Sequence, residues 1–163
     1  MLSEAIETAV KMETDAMRFY HEAAQKTNHP FAKRMFQGFV RDEDRHLKML
    51  KDILSGMDMK IVSLHPKDEI KTVFSELKAQ MMERISASTD EIEAVQVALD
   101  FETKGFEFYK KAADEATDGR EKALFSALAG EEQEHYSILQ NTYSFLKDTG
   151  NWFMWQEQGI LEG

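Results

Sequence analysis

Along four long stretches of the chain, apolar residues recur every three or four positions, the spacing of a helix with one buried face. The first stripe is Leu2, Ile6, Ala9 and Val10, Glu13, Ala16 and Met17, Tyr20 and Ala24, and it predicts a helix from about Ser3 to Lys26. Thr27-Asn28-His29 interrupts it, and Pro30 suits the first position of a second helix. That helix runs to about Ser55, where Gly56 can close it. Its stripe is Ala32, Met35 and Phe36, Phe39, Glu43, His46, Met49 and Leu50, and Ile53. Residues 57–66 have no helical period and open a crossover spanning 56–88. A shorter helix is expected inside it from about Pro66 to Ile85, with Ile70, Val73 and Phe74, Leu77 and Met81 on one face.

Ser88 with Glu91 fits a capping box for the third long helix. Its stripe is Ile92, Val95, Ala98 and Leu99, Glu102, Gly105 and Phe106, Tyr109 and Ala113. Asp118 is placed to cap the fourth, with Glu121 in its third position. There the stripe is Leu124 and Phe125, Leu128, Glu132, His135 and Tyr136, Leu139 and Tyr143, ending near Gly150. The expectation is one all-α domain over 1–150, followed by an aromatic tail at 151–163 that carries Trp152 and Trp155 and covers a bundle end or a subunit contact.

The two halves repeat one another. Residues 5–50 laid on 94–139 without a gap give 13 identities in 46 positions. Chance would give about 3 for helical sequences of this composition, so duplication is the better explanation. The matches include Glu13 with Glu102, Tyr20 with Tyr109, Glu43 with Glu132 and His46 with His135. A doubled helix pair predicts a four-helix bundle with the crossover joining the pairs.

Six ionisable residues therefore stand at core positions: Glu13, Glu43, His46, Glu102, Glu132 and His135. In each half a carboxylate and an imidazole at i and i+3 share a helix face. Burying one unpaired carboxylate costs several kcal/mol in effect, and four together repel. Bound divalent cations would reverse that balance. Four carboxylates and two imidazoles suit two first-row metals, each with one histidine and one terminal glutamate, with two carboxylates bridging. Oxygen plus imidazole donors favour iron or manganese, with zinc possible. Calcium and magnesium fit imidazole poorly.

Composition narrows the rest. A net charge of −10 argues against binding a nucleic-acid backbone. No cysteine is present, which removes disulfides, thiol catalysis and cysteine-held metals. Neither a signal-peptide pattern at Met1-Leu2-Ser3-Glu4 nor an apolar run of membrane-spanning length is read, so a cytoplasmic protein that does not engage membranes is expected.

Met12-Glu13-Thr14-Asp15 with Phe19-Tyr20, Phe101-Glu102-Thr103-Lys104 with Phe108-Tyr109, and Glu131-Glu132-Gln133-Glu134-His135-Tyr136 together resemble the metal-binding helices of the rubrerythrin branch of the ferritin-like superfamily. The resemblance covers about residues 2–149. It implies a ferritin-like bundle, two iron ions as cofactor, and reduction of peroxide, or of dioxygen, as the activity. It also implies at least a homodimer. Rubrerythrins usually add a rubredoxin domain with iron on four cysteines; none is read here, so a separate electron-donor protein is expected. They also usually carry a further glutamate three residues after the third-helix ligand, where this chain has Gly105. In the family that glutamate takes part in a redox-linked exchange with a histidine ligand, and Gly105 offers no side chain for it.

Other functions fit the same six residues: ferritin-like oxidation and handling of ferrous iron, or a non-enzymatic metal-binding or sensing protein. Tyr20 and Tyr109 lie two turns beyond Glu13 and Glu102, and read as core tyrosines, as hydrogen-bond donors orienting a ligand carboxylate, or as redox-active phenols. Gly105 reads either as close helix packing or as room for a small oxidant. Glu131 and Glu134 are expected to be solvated. His21, His29 and His65 read as surface or loop residues, and the ten methionines mostly as core filling.

Overall fold

The computed structural model describes residues 4–56 and 89–147. Within them lie four helices: α1 (Glu4–Lys26), α2 (Pro30–Leu54), α3 (Thr89–Glu115) and α4 (Gly119–Lys147). No strand occurs among the described residues, and no helix there is long and apolar enough to cross a membrane. The crossover helix, Ser88, His65 and the aromatic tail fall outside the described residues.

The local signals act as the chain predicts. Pro30 opens α2, where a missing N–H costs nothing, and His29 Nδ1 accepts from the Ala32 amide at 3.4 Å as the N-cap. Gly56 follows α2 with φ +73°, the left-handed conformation that closes helices. Asp118 Oδ1 accepts from the Arg120 and Glu121 amides at 2.8 and 3.2 Å, capping α4.

The Ser88 half of the expected capping box lies outside the described residues, but Glu91 has a further role. It is buried, and its Oε1 reaches across to the α1–α2 junction. There it accepts from Thr27 Oγ1 (2.5 Å) and from the amides of Asn28 (3.0 Å) and His29 (2.9 Å). His29 is accordingly a junction residue, but an enclosed one rather than a surface one. His21 is exposed, as expected.

Short junctions make α1–α2 and α3–α4 antiparallel hairpins, and each hairpin packs along its own length. Between hairpins, α1 meets α3 and α2 meets α4 more sparsely. Two apolar clusters form the core. One gathers Tyr20, Phe36, Phe39, Val95, Leu139 and Phe145; the other gathers Ile6, Leu50, Tyr109, Leu124, Phe125 and Leu128. The repeat is visible in the packing, since Tyr20 stacks on Phe36 and Tyr109 on Phe125, each at 6.0 Å. The six ionisable stripe residues lie on the inner faces of these same four helices.

Candidate metal centre

All six converge, and all are buried: Glu13 from α1, Glu43 and His46 from α2, Glu102 from α3, Glu132 and His135 from α4. Two overlapping groups can each surround an ion, their donor atoms within 4.8 Å of one another. One is Glu13, Glu43, His46 and Glu132; the other is Glu43, Glu102, Glu132 and His135. Glu43 and Glu132 belong to both. His46 Nδ1 faces Glu13 Oε1 at 3.5 Å, Glu43 Oε2 at 3.5 Å and Glu132 Oε1 at 3.6 Å. His135 Nδ1 faces Glu43 Oε1 at 3.4 Å and Glu102 Oε1 at 3.5 Å.

Those distances are long for hydrogen bonds. Both Glu43 oxygens, Glu102 Oε2, Glu132 Oε1 and the two Nδ1 atoms have no hydrogen-bond partner among the described residues. Buried polar atoms left this way cost free energy, and here six of them point at one another. The donor set, all carboxylate and imidazole, fits first-row divalent ions.

The outer nitrogens of the histidines are satisfied instead. His46 Nε2 lies 2.6 Å from Glu131 Oε2, and His135 Nε2 lies 2.9 Å from Asp42 Oδ2. A carboxylate on Nε2 holds the proton there and leaves Nδ1 free to donate to an ion. Asp42 and Glu131 correspond in the repeat, and each serves the histidine of the opposite hairpin. Arg45 reaches both: its Nη1 and Nη2 grip Glu131 at 2.9 and 2.6 Å, and Nη2 also contacts Asp42 Oδ1 at 3.4 Å. The expectation that Glu131 is solvated is thus overturned, and Glu134 is half-buried rather than fully exposed. Both positions sit just off the stripe, where an acidic residue reads as surface.

The tyrosines are hydrogen-bond donors, and they cross between hairpins. The Tyr20 hydroxyl donates to Glu102 Oε1, and the Tyr109 hydroxyl donates to Glu13 Oε1. Burial pushes the Tyr20 phenol well above its ordinary value, and Glu102 adds to this. Burial with Glu132 does the same for Tyr109. Both therefore keep their protons.

Charge within the cluster is shared unevenly. Burial pushes Glu43 up, but His46 and His135 outweigh it and bring the carboxyl down to about 2. Burial pulls His46 down, yet Glu43 and Glu131 more than reverse this and hold the ring at about 9. His135 is also raised, burial being outweighed by Glu102, Asp42 and Glu43. Glu132 moves upward through burial, Glu102 and Glu43. Glu131, despite burial, is held at about 2 by His46 and Arg45.

A cavity of about 260 Å³ reaches the cluster between α1 and α3. Glu13, Glu102 and Glu132 form its inner wall, with Met12, Phe101 and Gly105 beside them. A Cβ on Gly105 would stand 3.1 Å from Glu132 Oε2, so this glycine makes space for a cluster carboxylate rather than for a neighbouring backbone.

The helical bundle and the buried carboxylate–histidine cluster define a ferritin-like protein with a site compatible with a di-iron centre. The chain belongs to the rubrerythrin family, whose model matches residues 4–143. No curated protein and no solved structure matches it.

Proposed function

We propose that the protein is a peroxide-reducing oxidoreductase working at a dinuclear iron centre. Glu13, Glu43, His46, Glu102, Glu132 and His135 would hold the two ions, with Glu43 and Glu132 common to both groups. Two ferrous ions held there would supply the two electrons that, with two protons, convert hydrogen peroxide to two waters, and a separate electron-donor protein would restore them. Manganese and zinc are the substitutes the donor set would also accept. The chain's own residues do the rest. Tyr109 and Tyr20, their phenols protonated, donate hydrogen bonds to the terminal carboxylates Glu13 and Glu102 and fix their rotamers. Glu131 and Asp42 fix the two rings with Nδ1 inward.

The observation that carries this reading is the cavity beside Gly105, which opens on three of the four cluster carboxylates and has room for a small oxidant. Family membership favours peroxide over dioxygen. The test is to load the protein with ferrous iron without oxygen, add one equivalent of either oxidant, and follow absorbance and metal content. The reading expects two irons per chain, faster oxidation by peroxide, and iron retained through repeated cycles. Iron released or accumulated on oxidation would instead indicate ferritin-like handling. Stable iron that neither oxidant touches would indicate a non-enzymatic metal protein.

A further inference from the structure

The duplication makes the two metal positions almost interchangeable. Glu13 answers to Glu102, Tyr20 to Tyr109, Glu43 to Glu132, His46 to His135, and Asp42 to Glu131. Two pairs near the cluster oppose charges. The half-buried Arg45, just before His46, corresponds to the half-buried Glu134, just before His135. Asp15 and Lys104, which line the cavity, are both exposed and so screened by solvent. Ala16 against Gly105 and Phe39 against Leu128, further differences beside the cluster, carry no charge.

Arg45 does not act on the two histidines equally. Both arms of its guanidinium engage Glu131, the carboxylate that backs His46, at 2.6 and 2.9 Å. With Asp42, which backs His135, it makes one contact of 3.4 Å. A carboxylate hydrogen-bonded to the outer nitrogen makes an imidazole a stronger metal donor. A bidentate guanidinium withdraws charge from that carboxylate, so His46 receives less of the effect than His135. Arg45 also places a full positive charge, 15% exposed, behind the His46 position, where it repels a cation through a low-dielectric wall. The two effects have the same sign.

We propose that the two metal positions are unequal: the one built on His135 and Glu102 binds a divalent cation more tightly than the one built on His46 and Glu13, and Arg45 separates them. Arg45 is thus a positioning residue that acts through Glu131, and one cation loads on the α3–α4 side before the other. This rests on the dinuclear reading above.

Mutual repulsion would weaken any second ion, so the positions must be compared singly. Cobalt(II) titration of the full-length His46→Ala variant reports the His135 position, and His135→Ala reports the other. The expected result is first-ion binding about 10-fold or more tighter in His46→Ala, the scale of outer-ligand effects on metal affinity. Adding Arg45→Gln to His135→Ala should close most of the gap, whereas Arg45→Lys, which keeps the charge, should leave much of it. Equal affinities, a reversed order, or a gap untouched by Arg45→Gln would overturn the inference. If a histidine variant does not fold, zinc(II) added to half-saturation of the unsubstituted protein gives the same answer. Nitrogen resonances of His135 should then shift before those of His46, and simultaneous shifts or His46 first would refute the order. Uptake of fewer than two ions by the unsubstituted protein would instead strike at the dinuclear reading.

Discussion

Gly105 shows what a single position contributes. In the middle of α3 a glycine costs about 1 kcal/mol relative to alanine. The strain of adding a Cβ would fall on the far end of the Glu132 side chain, which can give by a few tenths of an ångström. Gly105→Ala is therefore expected to raise the stability of the metal-free protein, by up to about 1 kcal/mol, while weakening metal binding, since Glu132 is a shared carboxylate. Thermal unfolding with and without metal would show opposite changes; a loss of stability in both would contradict this. The six cluster residues were legible in the sequence because each stands where the stripe demands an apolar side chain. Asp42 and Glu131 were not. They lie one residue before Glu43 and Glu132, about 100° around the helix, where a charge looks solvated. Their correspondence in the repeat was the signal that could have exposed them.

At the scale of elements, the bounds of α1 and α2 and the start of α4 followed from caps and periodicity, but the pairing of hairpins did not. The stripe puts Tyr20 on the same face as Glu13, yet its hydroxyl serves Glu102 on the other hairpin. Periodicity names a face and leaves its opposing helix open. Glu91 shows the same limit: three donors at the α1–α2 junction converge on its one oxygen, tying the start of α3 to the first hairpin. Replacing it with alanine removes the acceptor of the Asn28 amide and the Thr27 hydroxyl, and leaves the His29 amide to its longer contact with Thr27 Oγ1 at 3.2 Å. Glu91→Ala should cost about 2–3 kcal/mol in chemical denaturation, the range for unsatisfied groups that had bonded a charged partner. A change below about 0.5 kcal/mol, the range of ordinary surface substitutions, would show that the tether is not structural.

For the whole molecule, the cluster couples stability, protons and metal. His46 is held at about 9 in the fold against an ordinary value of 6.5. The folded metal-free protein therefore binds more protons than the unfolded chain between those values. Its stabilising contribution is full below about pH 6.5 and is lost as pH rises through about 9. Glu131, held at about 2, contributes above its ordinary value of 4.5 and loses that contribution as pH falls toward 2. Metal reverses the slope on the alkaline side, because an ion must displace the proton from His46. Metal affinity should rise with pH up to about 9, with protons released on binding, while the metal-free protein loses stability over the same range. Calorimetric titration in two buffers of different ionisation enthalpy would measure the release; none at pH 7 would contradict it.

The central claim is that six buried side chains from four helices hold two metal ions. Metal content of the iron-loaded protein, measured beside Glu43→Ala and Glu132→Ala, tests it most directly. Two irons per chain, falling sharply in both variants because each removes a shared ligand, is the predicted result. Fewer than one iron per chain, unchanged by either substitution, would contradict it.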